Sequence, residues 1–265
     1  MGVGADSGLV DAATGDGLCA RYGPGWVDSL PALVAQVTAA RGLSVLCPLT
    51  GGRTACVLKV RRGNHLAVLK LAPDLARSRR EEAALRAYAA VGLAPEVLEA
   101  DEGAVDGVSY HLMLLAFVPG GGSLRECPAP ADAIPALGRL LAGLRDCSAT
   151  PLTVALPSLA DHVYAGLGRA AGGGLHGAAA PTPADVRLAA GLLGELNATT
   201  PADHWVHGTL HPGNVLTDGL GRLLAIDPRP FAGDLDYDVA ESALKLGSEL
   251  AGRTTWPTAA PPRPI

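Results

Sequence analysis

Lysine is the scarcest charged residue in this 265-residue chain. It occurs only at Lys59, Lys70 and Lys245, and arginine carries almost all the remaining positive charge. Basic residues are too few to offset the acidic ones, and the formal net charge is −5. That balance argues against a nucleic-acid partner, which calls for a basic face; it is compatible with a cationic small-molecule substrate. No run of 18 apolar residues free of charge, Gly or Pro occurs, so no membrane span and no membrane partner are expected. The start, Met1-Gly-Val-Gly-Ala-Asp-Ser7, has no basic stretch ahead of an apolar one, so no secretory leader is expected. Cysteine is sparse and scattered (Cys19, Cys47, Cys56, Cys127, Cys147), odd in number and without a C-x-x-C pair. Neither a zinc site nor a disulfide framework is indicated, and free thiols in the cytoplasm are expected. No internal repeat is present. Hydrophobic residues make up 48%, beside 34 glycines and 21 prolines, which describes an apolar but loop-rich chain long enough for a real core.

Taken in order, residues 1–24 are Gly- and Ala-rich without periodicity and read as a mobile lead-in. Trp26 to Arg41 reads as a helix capped by Asp28 or Ser29, with Pro31 in its first turn and Leu30, Leu33, Val34 and Val37 on one face. Cys56–Val60 and Leu66–Leu71 read as strands around a Gly63-Asn64 turn, preceded by a Gly-containing turn at Thr50–Thr54. Lys70 lies within the second of these apolar strands, where its charge requires a partner. A compact ammonium on a flexible stem suits a pair of phosphates; the alternative, which also covers Lys59, is a lysine snorkelling out of an edge strand. Asp74 to Val91 reads as a helix with Glu81 and Glu82 in its middle. Pro95–Glu99 and Tyr110–Val118 read as two strands split by an acidic turn at Asp101-Glu-Gly103, the second leading to a Gly-rich exit. From Ala131 the pattern becomes helical. Ile134, Leu137, Leu140, Leu141 and Leu144 form one face, Leu159 to Ala171 a second helix, and Thr182-Pro183 starts a third with Val186, Leu193 and Leu196 inward.

The most informative stretch is Trp205-Val-His-Gly-Thr-Leu-His-Pro-Gly-Asn-Val-Leu-Thr217, followed by Leu223-Leu-Ala-Ile-Asp-Pro228. It reads as a loop, a short strand, a turn at Asp218-Gly219 and a second strand ending at a carboxylate. Such a hairpin brings the amide oxygen of Asn214 close to the carboxylate of Asp227. Two oxygen ligands suit Mg²⁺, a hard cation that takes few protein ligands and fills its shell with phosphate oxygens and water. Separately, each residue could equally cap a turn.

These letters carry a resemblance. His207-Gly-Thr-Leu-His-Pro-Gly-Asn214 resembles the catalytic loop of the aminoglycoside phosphotransferases, bacterial relatives of protein kinases, whose loop reads His-Gly-Asp-x-x-x-x-Asn. Ala225-Ile-Asp-Pro-Arg-Pro-Phe-Ala-Gly-Asp-Leu-Asp-Tyr-Asp238 is most similar to the streptomycin 6-phosphotransferase and hydroxyurea-kinase branch. The resemblance implies an α+β, protein-kinase-like two-lobed fold with an antiparallel sheet in the N-lobe and a mainly helical C-lobe. It implies a nucleotide-binding N-lobe at 25–118 and a helical C-lobe with catalytic and metal loops at 119–250, beside a flexible segment at 1–24 and a Pro-rich, irregular tail at 251–265 that the composition gives. Transfer of the γ-phosphoryl of ATP or GTP, with Mg²⁺, to a hydroxyl of a small antibiotic is the implied reaction. A streptomycin-like aminoglycoside leads as acceptor, with a nucleoside antibiotic or hydroxyurea as alternatives, and a small-molecule metabolic kinase as a further one. Residue by residue, Thr54 and Lys70 are expected at the phosphates and Glu81, with Glu82 as fallback, beside Lys70. The backbone near Leu115 to Phe117 is expected at the purine, and Asn214 and Asp227 at the metal. His207 and His211 are expected to order the catalytic loop, and Asp234 and Asp238 to support it, with Asp238 capping the following helix.

One departure stands in the centre of this pattern: Thr209 occupies the position of the family's catalytic Asp. A hydroxyl cannot act as a base near neutral pH. Phosphoryl transfer nevertheless leans on positioning and charge neutralisation, and general-base help supplies only ~10²–10⁴-fold. Three readings stay open: a substitution introduced to trap complexes, a natural enzyme in which His211, Asp203, Asp234 or water takes the proton, and a pseudokinase that binds nucleotide or drug without turnover.

Overall fold

Two glycines at positive φ, Gly23 (85°) and Gly42 (61°), bracket the long N-terminal helix of the computed structural model, which describes residues 8–49, 54–126, 130–171, 181–199 and 204–251. The chain divides into two units, residues 1–119 with 152–155, and residues 120–151 with 156–265.

The first unit begins with α1 (Ala12–Tyr22) and α2 (Pro24–Arg41). The aperiodic lead-in expected before residue 24 is therefore corrected over Ala12–Tyr22. The side chain of Asp11 accepts a hydrogen bond from the Thr14 amide, and Leu18 is fully buried; one cap and one anchoring side chain suffice where periodicity is absent. Helix α2 starts earlier than predicted, because Pro24 takes the first helical position and leaves Pro31 in the interior. Its predicted face of Leu30, Leu33, Val34 and Val37 is buried.

Strands β1 (Leu43–Pro48), β2 (Cys56–Arg62), β3 (His65–Ala72), β4 (Val97–Val105) and β5 (Val108–Ala116) form an antiparallel sheet in the order β1-β2-β3-β5-β4. Gly63-Asn64 makes the β2–β3 turn, with Arg62 opposite His65. The acidic turn predicted at 101–103 is not a turn: these residues lie inside β4, and the chain reverses at Asp106-Gly107, both at positive φ (51° and 80°). Two left-handed residues match the strand twist in a two-residue hairpin, which Asp-Gly provides at least strain. Alternation sends Leu58, Leu69, Leu71, Leu112 and Leu114 into one core with α1 and α2. Lys70 therefore points to the other face, where α3 (Leu75–Ala90), capped by Asp74, supplies Glu81.

The second unit holds α4 (Pro130–Ser148), α5 (Leu159–Ala171), α6 (Pro183–Thr199) and α7 (Asp236–Ala251). Between them run a three-stranded sheet of β6 (Gly122–Ser123), β8 (Val215–Thr217) and β9 (Leu223–Ala225), and a ribbon of β7 (Trp205–Val206) with β10 (Phe231–Ala232). On α4, Leu137, Leu140 and Leu144 are buried as the spacing predicts, but Ile134 is 48% exposed; Ala133 takes the inward position one residue earlier. The predicted core face of α6 is also corrected. Val186 and Leu193 are half-buried, Leu196 is exposed, and no residue of the helix is buried, since it lies as an outer layer on α5. Among the described residues, no helix is long and apolar enough to cross a membrane.

Candidate active site

In the first unit the residues expected at the nucleotide centre on one ion pair. Lys70 and Glu81 are 7% and 3% exposed, and the ammonium donates to the carboxylate at 2.5 Å. Glu82, one residue on and about 100° around the helix, instead accepts from Arg86 at 2.8 Å and meets His111 at 3.1 Å. The register of α3 thus decides between the two glutamates. Thr54 stands half-buried just ahead of β2, while Thr50 to Arg53 of the Gly-containing turn lie outside the described residues. Leu115 is in β5, and the Ala116 amide beside it donates to the Glu96 carbonyl at 2.8 Å. Phe117 follows, its ring 4.2 Å from the Lys59 ammonium.

In the second unit the loop grows from a rigid base. Trp205 is 1% exposed, and its indole N–H donates to the Thr150 carbonyl at 2.9 Å. The amides of His207 and Gly208 both donate to the Asp238 carboxylate, at 2.6 and 2.8 Å. Asp238 lies within the first turn of α7 and not ahead of it, so the predicted helix-capping role is corrected: its oxygens serve the loop. Burial pushes its carboxyl up to about 6 against the lowering effect of those two amides. Four residues along the same helix, the Ser242 hydroxyl donates to the Leu210 carbonyl at 2.7 Å. That second tie was missed from sequence; the i, i+4 spacing of Asp238 and Ser242 on one face is the signal that would have found it.

His207 is fully buried, and burial pushes its imidazole down to about 4, opposed by the Asp227 charge and the Ile226 carbonyl. Its Nε2 lies 3.1 Å from that carbonyl, an orientation that requires hydrogen on Nε2. Gly208 has φ 78°, and a Cβ there would fall 2.2 Å from the Arg229 carbonyl oxygen. Only glycine fits this close approach.

Thr209 joins the two predicted oxygen ligands. Its hydroxyl donates to the Asp227 carbonyl at 2.9 Å, and its own carbonyl accepts from Asn214 Nδ2 at 2.9 Å. The amide of Asn214 is thereby oriented with nitrogen toward Thr209, so that Oδ1 is the atom that could ligate a metal. The Ile226 amide donates to the Asn214 carbonyl at 2.9 Å, which sets the start of the Asp227 segment beside the loop. His211 precedes a single 3-10 turn, Pro212–Asn214, and its Nδ1 accepts from the Gly213 amide at 3.1 Å. A neutral ring accepting at Nδ1 carries its hydrogen on Nε2, so in this arrangement His211 offers a donor and not a base.

Asp234 sits at the other end of the β7–β10 ribbon from Thr209. Its side chain accepts from the Asp236 amide at 2.9 Å. It also lines a cavity of about 330 Å³ with Arg145, Asp146 and His204. Asp203 lies outside the described residues.

Among the described residues no group of three or more His, Cys, Asp or Glu could enclose a metal ion. The donor set that fits Mg²⁺ is the smaller one, one amide oxygen and one carboxylate, with phosphate oxygens and water as the remaining ligands.

Comparison with known proteins follows the same lines. The family described as "Aminoglycoside/hydroxyurea antibiotic resistance kinase" matches residues 44–248. A hydroxyurea phosphotransferase of Kitasatospora aureofaciens is 35% identical over 244 residues, covering 89% of this chain and 68% of the relative. A streptomycin 6-kinase of Streptomyces glaucescens is 31% identical over 225 residues, covering 82% and 67%. Among solved structures, a thermostable mutant of aminoglycoside phosphotransferase APH(4)-Ia with ADP and hygromycin B superimposes with TM-score 0.56 at 21% identity, covering 78% of this chain and 74% of that one. The choline kinase LicA from Streptococcus pneumoniae gives 0.57 at 14%, covering 86% and 81%. At such identities the structures speak for a kinase-like fold alone.

Proposed function

The chain belongs to the family of aminoglycoside and hydroxyurea antibiotic resistance kinases, and from that premise we propose that it moves the γ-phosphoryl of ATP or GTP to a hydroxyl of a small antibiotic. As a member of this family it is a phosphotransferase with a hydroxyl acceptor. The acceptor classes this reading favours are a streptomycin-like aminoglycoside and hydroxyurea, the substrates named for the two relatives above. The free thiols of Cys19, Cys47, Cys56 and Cys147 are in keeping with a cytoplasmic location.

The observation that carries the reading is the buried Lys70–Glu81 pair. A lysine and a glutamate are both costly to bury, and protein kinases use this pairing of a β3 lysine and a helix glutamate to present an ammonium to the nucleotide phosphates. We assign Lys70 to the phosphates, Glu81 to positioning it, and the Asn214 amide oxygen and Asp227 carboxylate to Mg²⁺. When bound, Mg²⁺ supplies charge neutralisation between the phosphate oxygens. Asp238 and Ser242 hold the loop, and His207 fills its base. With no carboxylate at residue 209, proton removal from the acceptor falls to water or to another group near the loop, Asp203 or Asp234 among them.

The test is transfer of radiolabelled phosphate from ATP and GTP to a panel of streptomycin-like aminoglycosides, nucleoside antibiotics and hydroxyurea. Labelled product from at least one antibiotic is expected, with kcat/KM reduced by roughly an order of magnitude or more in Lys70→Ala, since a phosphate contact is removed. Nucleotide binding with no transfer to any acceptor would replace this reading by that of a binding protein.

A further inference from the structure

We infer that Thr209 is a positioning residue that fixes the two magnesium ligands, Asn214 and Asp227, and that it does not stand in for the missing base. The inference rests on the assignment of those two residues to the metal. The Thr209 hydroxyl has a single hydrogen, and that hydrogen is directed at the Asp227 carbonyl at 2.9 Å. The Thr209 carbonyl meanwhile takes the Asn214 amide nitrogen. One residue thus holds the main chain of one ligand and the side chain of the other.

The need for such a tie is visible in the segment it grips. Asp227 is one of two non-glycine residues at positive φ among those described, at 55°, a conformation a Cβ disfavours. Thr209 ties this segment to the loop between two backbone bonds. The Ile226 amide is held by the Asn214 carbonyl and the Arg229 amide by the His207 carbonyl at 2.7 Å. Pro228 between them has no N–H to offer. The Asp227 carbonyl is then bound to the loop through the threonine hydroxyl. An aspartate at 209 cannot make this tie, because a carboxylate has no hydrogen to donate to a carbonyl. Residue 209 and the geometry of 226–229 are therefore matched to each other in this chain.

The test uses the full chain with saturating non-hydrolysable ATP analogue and follows Mn²⁺ binding by electron paramagnetic resonance, without turnover. Thr209→Ser keeps the donor and is expected to bind Mn²⁺ within about twofold of wild type. Thr209→Val and Thr209→Asp are expected to weaken binding by about 10- to 100-fold, the usual effect of losing a group that orients a metal ligand. In turnover assays Thr209→Val is expected to raise the Mg²⁺ concentration for half-maximal rate while kcat returns at saturating Mg²⁺. Unchanged Mn²⁺ affinity in Thr209→Val, or a kcat gain of about 10²-fold or more in Thr209→Asp, overturns the inference and makes residue 209 a lost base. Asp227→Ala, with its fold checked by circular dichroism, separates the two levels: if it binds Mn²⁺ like wild type, the metal assignment itself fails.

Discussion

Lys70 and Glu81 are the residues on which charge and burial conflict most. Both are nearly inaccessible, and a buried pair costs more to break than to keep, because the survivor loses its partner in a low-dielectric setting. Replacing Glu81 by Gln should lower stability by about 3 kcal/mol, measured by urea denaturation, whereas Glu82→Gln should cost under about 1 kcal/mol, since Arg86 is half exposed and the glutamine oxygen can still meet His111. Equal losses from the two would show that the pair is not the buried anchor described. Lys70 was readable from sequence for a physical reason: a charge in an apolar strand demands an explanation. The choice between Glu81 and Glu82 was not, because neighbouring letters differ only by a rotation about the helix axis, and that rotation is set by Leu85 and Tyr88 packing inward. Thr209 marks the opposite limit. Its letter announced a departure, yet its bond to a backbone carbonyl eighteen residues away has no sequence signature, since carbonyls are the same in every residue.

Elements were legible where period and turn chemistry agreed, as in α3, α5 and the Gly63-Asn64 hairpin. They were missed where a single cap replaced periodicity, as in α1, or where two turn signals competed, as at 101–103 against Asp106-Gly107. The outer helix α6 shows a further limit: leucines at helical spacing specify a stripe but not what covers it, and Leu188, Leu192 and Leu196 are all more than half exposed. The catalytic loop is the element whose letters are most tightly set by geometry, and Gly208 tests that statement. Gly208→Ala meets both a positive φ and a carbonyl oxygen at 2.2 Å, whereas Gly221→Ala, also at φ 78°, meets nothing within 4 Å. The second change should cost about 1 kcal/mol for the left-handed backbone alone. The first must also push the Arg229 peptide away from the His207 carbonyl it bonds, and should cost upward of about 3 kcal/mol, as a buried clash with loss of a buried hydrogen bond does. Thermal denaturation of the two variants side by side measures the difference; matching melting temperatures would mean that the loop yields freely.

At the level of the whole molecule, the kinase-like architecture was recoverable because its letters cluster in 205–238, where each side chain answers a backbone requirement: Gly208 a close approach, Asn214 a carbonyl, Asp238 two amides. Helices α4, α5 and α6 were less informative, because they carry periodicity and little else, and periodicity specifies burial rather than a ligand. Nucleotide recognition can therefore be tested on the intact chain before any acceptor is known. A ligand that binds only the folded chain stabilises it by about 2.7 kcal/mol at 100 times its Kd, and for domains of roughly this size each kcal/mol moves Tm by about 2–4 °C. ATP or GTP with Mg²⁺ should accordingly raise Tm by about 5–10 °C at that concentration. Withholding Mg²⁺, or replacing Asn214 by Ala, should remove part of the shift, since the Lys70 ammonium proposed at the phosphates is left in place. Lys70→Ala at the same nucleotide concentration should remove most of it, because the phosphate charge then lacks its cation on the sheet. An unmoved Tm in the wild-type chain at millimolar nucleotide and Mg²⁺ would remove the phosphoryl donor from the proposed reaction, whichever antibiotic is offered.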